Sequence, residues 1–131
     1  MFIDDIGWND VRSLSKNNLM WGVADQLHRS LGSISANLTE GYSRSKGLDR
    51  ARFIEISLGS ARESRDWYYK ARHVLPADVV KHRIGLITKI ISMLTPMIQH
   101  QRKNAIREEQ AEYNTSSQSS DFLHDLPIPM P

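Results

Sequence analysis

Apolar residues return every three or four positions through most of the chain, in blocks separated by glycine, serine and proline. In the first block Leu27, Leu31, Ile34, Leu38 and Tyr42 share one helical face, while Arg29, Ser33, Asn37, Glu40 and Arg44 share another. This predicts an amphipathic helix that starts near residues 23–25 and is ended by Gly41, Gly47 and the serines around them. Asp49 is the expected N-cap of a second helix over residues 49–75, which carries Phe53, Ile54, Ile56, Leu58 and Ala61. Leu75-Pro76 breaks it, and a third helix opens at Pro76 or Ala77. There Val80, Ile84, Ile87, Ile91, Leu94 and Ile98 alternate spacings of four and three without a miss, which is the seam of a helical bundle. Pro96 lies inside that pattern and predicts a kink between 92 and 96, with helix resuming to about residue 109.

The two ends read differently. Around Val11 and Leu14 a short helix is compatible with the spacing, but Ser13, Ser15, Asn17 and Asn18 are poor helix formers, so residues 1–18 are expected to be a short, irregular element. The body of the bundle is assigned to 19–109. Residues 110–131 are expected to be a disordered tail, because the serine-rich stretch buries too little to offset its ordering entropy and prolines crowd its end. Phe122, Leu123, Leu126 and Ile128 give that tail the makings of a short linear motif. The fold class is therefore all-α, an antiparallel bundle with no strand pattern anywhere.

Charge is more informative by region than in total. The net value is +2, but residues 1–27 hold two Lys/Arg against four Asp/Glu, residues 28–107 hold fifteen against six, and residues 108–131 hold none against five. A basic body between acidic ends attracts polyanions. The chain has no cysteine, which removes disulfides, thiolate zinc sites and cysteine nucleophiles together. Its five histidines show neither a His-x-x-x-His pair nor an HExxH, no glycine loop suits a phosphate, and no acid pair has a recognisable acid–base setting. A cytoplasmic protein without cofactor, metal or catalytic activity is expected, since no apolar run approaches the roughly 20 residues of a membrane span.

Three groups of residues are candidates for function. The polar stripe of the first helix, with Glu63 of the second, is expected to converge as a buried hydrogen-bonded network or to hold a ligand. Ser57, Ser60, Ala61 and Ser64 read as a close-packing face and not as nucleophiles. Arg44, Lys46, Arg50 and Arg52 at the first helix junction, and Arg62, Arg65, Lys70 and Arg72 interleaved with Trp67, Tyr68 and Tyr69, suit phosphate contacts and base stacking.

The run QLHRSLGSISANLTEG followed by GSARES resembles the signature of the bacterial four helix bundle protein family, which includes proteins encoded in intervening sequences of large-subunit ribosomal RNA genes. Trp21-Gly22, Gln26, Arg29, Ser33-Ile34, Asn37, Glu40-Gly41, Arg44, Gly59-Ser60 and Glu63 carry the match, over roughly residues 20–103. The resemblance implies a polar network of Gln26, Arg29, Ser33, Asn37, Glu40, Ser60 and Glu63. It also implies a long first helix, for which this chain has about 20 residues, too few, so that the helix is shortened or missing and the chain begins late or completes its bundle with a partner. A related branch, the accessory proteins of diversity-generating retroelements, implies ring-forming homo-oligomers of five subunits that hold a reverse transcriptase and its RNA. The expected function is a non-enzymatic scaffold for structured nucleic acid, RNA before DNA. The alternative is a protein-interaction module whose basic surface keeps it soluble or meets an acidic partner.

Overall fold

In the computed structural model, which describes residues 2–125 and their side chains through residue 117, four helices follow one another. They are α1 (Phe2–Ser15), α2 (Trp21–Tyr42), α3 (Gly47–Lys70) and α4 (Ala77–Asp125). Short connections make consecutive helices antiparallel neighbours, the all-α bundle that the periodicity predicts.

The N-terminal element is short, as expected, but it is a regular helix. Ile3, Gly7, Asp10 and Leu14 recur on one face and are buried, with Asp4 and Asp5 in the first turn and Arg12 in the last, where the helix dipole favours each charge. Packing onto α2 overrides the weak propensity of the serines. Gly7 suits that packing, because a Cβ at this position would force the Leu31 side chain to shift. Asn17 then caps a 3₁₀ turn, its Oδ1 accepting from the Leu19 N–H at 2.9 Å.

The remaining boundaries shift for identifiable reasons. Helix α2 begins at Trp21, two residues before the expected start, without a side-chain cap. Helix α3 begins at Gly47, so Asp49 lies in its first turn and is not the N-cap. The cap is supplied from α4, where both Glu108 carboxylate oxygens accept from the Gly47 N–H at 3.2 and 3.1 Å. A carboxylate 61 residues away in sequence is invisible to local capping rules. A Cβ on Gly47 would stand 2.6 Å from the Gln101 carbonyl oxygen, which is why glycine occupies this crossing. Helix α3 gives way at Ala71–His73 to a 3₁₀ turn instead of running on to 75.

The third periodic block forms one unbroken helix through Pro96. Val80, Ile87, Leu94 and Ile98 of its seam are buried and Ile84 and Ile91 half-buried. The helix continues past residue 109 into the stretch expected to be a disordered tail, and residues 109–116 of it are all exposed. The rest of the expected tail, 126–131, and the side chains of 118–125 lie outside the described residues.

The core has two parts. The first joins Ile3 and Leu14 of α1 to Leu27, Leu31 and Ile34 of α2, Ala61 and Tyr68 of α3, and Val80 and Ile87 of α4. The second holds Ile54, Leu58, Leu94 and Ile98, with Leu38, Ile90, Ile91 and Met97 packed against it, and has no α1 residue. Of the apolar positions expected in the core, Tyr42 and Ile56 are instead 57% and 51% exposed.

Candidate nucleic-acid interface

Helices α2 and α3 approach closely because serine fills their interface. Ser64 Oγ lies 2.8 Å from both Ser30 Oγ and the Ser60 carbonyl oxygen, which share its one proton, and Ser57 Oγ donates to the Ile34 carbonyl at 2.7 Å. Ser57, Ser60, Ala61 and Ser64 are all buried, as a packing face should be. Each hydroxyl satisfies itself locally, which is what a buried polar group requires.

The expected network of Arg29, Asn37, Glu40 and Glu63 is not formed. Arg29 is 73% exposed and pairs with Asp25 one turn back at 3.2 Å; Glu40 pairs forward with Arg44 at 2.5 Å. Glu63 accepts from the Trp67 indole at 3.2 Å, and Gln26 is exposed. Only the uncharged members meet: Ser60 Oγ donates to Ser33 Oγ at 2.7 Å, and Asn37 Nδ2 donates to the same oxygen at 2.8 Å. The stripe lies on the solvent rim of the α2–α3 seam, where charges keep their hydration and a nearby partner, a cheaper arrangement than burial.

The buried polar cluster lies elsewhere. Tyr68 of α3, fully buried, donates to Asp10 Oδ2 of α1 at 2.7 Å, and Arg83 of α4 donates to the same oxygen through Nε at 2.8 Å. Burial and the hydrogen bond to Asp10 hold the Tyr68 phenol well above its ordinary pKa, and the bond to Asp10 raises that of Arg83. This carboxylate ties three helices together. A sequence signal for it existed, since Asp10 falls on the apolar row of Ile3, Gly7 and Leu14 and Tyr68 continues the row of Ser57, Ala61 and Ser64.

The cations at the α2–α3 corner are gathered, and three of the four pair with carboxylates. Arg44 pairs with Glu40 and stacks on Phe53, 5.1 Å from the ring centre. Lys46 meets Glu112 at 3.7 Å, Arg52 meets Asp49 at 4.0 Å, and Arg50 donates to the Arg44 carbonyl at 2.6 Å. With Glu108 on the Gly47 amide, four carboxylates stand among four cations. Two of them come from the acidic stretch that sequence alone assigned to the chain end.

The other basic run has a different setting. Tyr68 is core, Trp67 is half-buried against it and Tyr69 is exposed, the last two with cations over their faces: Lys70 Nζ is 4.4 Å from the Trp67 ring centre, and the Arg72 guanidinium 4.0 Å from that of Tyr69. Lys70 also pairs with Asp66 at 2.8 Å. Arg62 is exposed, and Arg65 reaches Thr88 of α4 at 3.4 Å. Across the turn, α4 adds Lys81, Arg83 and Lys89. Residues 62–89 thus hold seven Lys/Arg against three Asp/Glu, a net +4. Among the described residues no group of His, Asp and Glu is arranged to hold a metal ion, and no helix is long and apolar enough to cross a membrane.

A small antiparallel four-helix bundle with a basic α3–α4 end is the class of protein that these features define. The sequence profile of the 23S rRNA-intervening sequence protein family matches residues 9–96, and the chain belongs to that family. A crystal structure of a protein of unknown function, from the S23 ribosomal protein family of Bacteroides thetaiotaomicron VPI-5482, has the same fold, with a TM-score of 0.64 at 20% identity over 73% of this chain and 97% of that one. Comparison with curated proteins gives no match.

Proposed function

We propose that the chain is a non-catalytic scaffold that binds structured nucleic acid, RNA in preference to DNA, at the α3–α4 end. The supporting observation is the net +4 of residues 62–89, with Arg62, Lys70, Arg72, Lys81 and Lys89 exposed on adjoining helices. Each phosphate neutralised there releases condensed counterions, so binding is electrostatic and weakly sequence-dependent. The family's name points to RNA as the polyanion. Aromatic faces contribute little to base stacking, because Lys70 and Arg72 already cover Trp67 and Tyr69. The α2–α3 corner is secondary, since three of its four cations pair with carboxylates. Self-association into a ring, with a reverse transcriptase or comparable protein as a further partner, follows from the family resemblance and would repeat the basic end in every subunit, adding avidity.

A gel-shift or anisotropy titration with structured RNA across a salt series tests this. Affinity is expected to fall steeply between about 50 and 200 mM salt. Replacing Arg62, Lys70, Arg72 and Lys81 by glutamine should weaken binding more than the same change at Arg44, Lys46, Arg50 and Arg52, with helicity intact in both. No binding at low salt would leave the protein-interaction reading, which the largely ion-paired corner favours.

A further inference from the structure

Two tryptophans lie on the surface at the opposite end from the α2–α3 corner, outside the core. Trp8 of α1 and Trp21 of α2 are 54% and 60% exposed, yet both rings are held in place. The Trp21 indole donates to the Ser15 carbonyl at 2.7 Å, and Trp8 packs edge-on against His28 with ring centres 5.8 Å apart. Between them, floored by Val11 and Ala24 and edged by Asp25, runs an open cleft of about 450 Å³. Fixed aromatic rings with free faces lose little entropy when something packs on them.

A second feature is written in the sequence. The segment LPIPMP, residues 126–131, lies beyond the last described helical residue and alternates proline with apolar side chains. Proline at every second position is the sequence pattern of proline-rich recognition segments, in which each ring removes backbone freedom that binding would otherwise cost. Aromatic-lined grooves recognise such segments by packing proline rings on indole faces.

We infer that the Trp8–Trp21 cleft is the docking site for residues 126–131 of a second copy of this chain. The segment cannot reach the cleft of its own chain. Helix α4 passes the start of α3 at Gln101, and the 24 residues from there to Asp125 carry it about 36 Å beyond the bundle. The cleft lies the other way, about 20 Å up α2 from Gly41 to His28. Six extended residues span at most about 21 Å, well short of the sum, so the contact is made between chains. A head-to-tail contact of this kind joins different surfaces of the two copies and closes into a ring or extends into a chain.

The test uses a fluorescent peptide of residues 121–131 and the full chain with Pro127, Pro129 and Pro131 replaced by alanine, whose cleft has no competing segment. Saturable anisotropy is expected, weakened about 10-fold or more by Trp21→Ala or Trp8→Ala added to that chain, the loss of one well-packed aromatic contact. Both rings are exposed, and unchanged helicity by circular dichroism will show that the fold survives. In sedimentation, the Trp21→Ala chain mixed with the triple-proline variant should form a heterodimer through the one intact cleft and the one intact tail. A flat titration up to about 1 mM chain, equal binding of a peptide with alanine at the three prolines, or no effect of either tryptophan would overturn the inference. Equal binding of an unrelated proline-rich peptide would overturn the commitment to a second copy.

Discussion

At the scale of single residues, stability concentrates where a side chain has no alternative partner. Asp10 takes hydrogen bonds from Tyr68 and Arg83, so Asp10→Ala leaves a fully buried phenol without its acceptor and a mostly buried guanidinium without its carboxylate. The expected loss is about 3 kcal/mol or more, read from chemical denaturation, while Tyr68→Phe, which leaves the Asp10–Arg83 pair intact, should cost only about 1–2 kcal/mol. The same tyrosine sets an alkaline limit. Its pKa is raised in the folded chain, so above about pH 10, the ordinary tyrosine value, the unfolded state releases a proton that the folded state keeps. Stability is therefore undiminished below that pH and falls above it, and Tyr68→Phe should reduce the slope. Glycines divide in the same way. Gly47→Ala places a Cβ 2.6 Å from a backbone oxygen that cannot move aside, and should cost about 1–3 kcal/mol by overpacking. Gly59→Ala meets nothing within 4 Å on an exposed helical face and should raise stability by about 0.5–1 kcal/mol. Equal melting shifts for the two would contradict the placement of α4 across the start of α3.

At the scale of elements, the periodic stretches were legible because burial on a helix face writes itself into residue spacing. The seam from Val80 to Ile98 and the row Leu27, Leu31, Ile34 needed nothing but a 3.6-residue repeat, and the row is buried throughout while the seam is buried or half-buried at every position. Ile87→Asp should accordingly abolish cooperative melting, since it places a charge at a fully buried position at several kcal/mol. Features that depend on a distant residue were not legible. Glu108 capping α3, Asp10 bridging to α4, and the regularity of α1 all arise from contacts between elements, and propensity rules see only neighbours in sequence. The candidate site divides along the same line. Types and numbers of cations could be read directly, whereas which of them stand beside a carboxylate could not. The polar stripe was placed on the right face of α2 but on the wrong side of the rim, because a spacing of three and four residues fixes an angle around the helix and not the depth of the neighbour. Pro96, exposed within α4, is a further element-scale test. It leaves the Ser92 carbonyl without its helical donor, so Pro96→Ala should raise the melting temperature, by about 1–3 kcal/mol in stability, less whatever unfolded-state stiffness the proline supplied.

At the scale of the whole molecule, charge and packing separate along α4. Residues 109–116 bury nothing, while Glu112 lies against Lys46, so this stretch acts on the body through its field more than through contacts. Ending the chain at Glu108 keeps the carboxylate on Gly47 and removes Glu109, Glu112, Asp121 and Asp125 with no Lys or Arg, raising the formal net charge from +2 to +6. Two effects on stability oppose each other weakly: an exposed ion pair worth at most about 1 kcal/mol is lost, and an exposed helical extension that contributes no core is removed. The melting temperature should stay within a few degrees of that of the full chain. Polyanion binding should not stay the same. Removing four carboxylates and releasing Lys46 should tighten binding to structured RNA at low salt and steepen its salt dependence by about one phosphate contact for each cation freed. Parallel titrations at several salt concentrations check this, the shortened chain being compared with the full chain carrying alanine at Pro127, Pro129 and Pro131, so that neither has the proposed contact between copies. A shortened chain that bound RNA more weakly at an unchanged melting temperature would mean that the acidic extension belongs to the partner-binding surface, and a protein with a basic patch would then fit the molecule better than RNA.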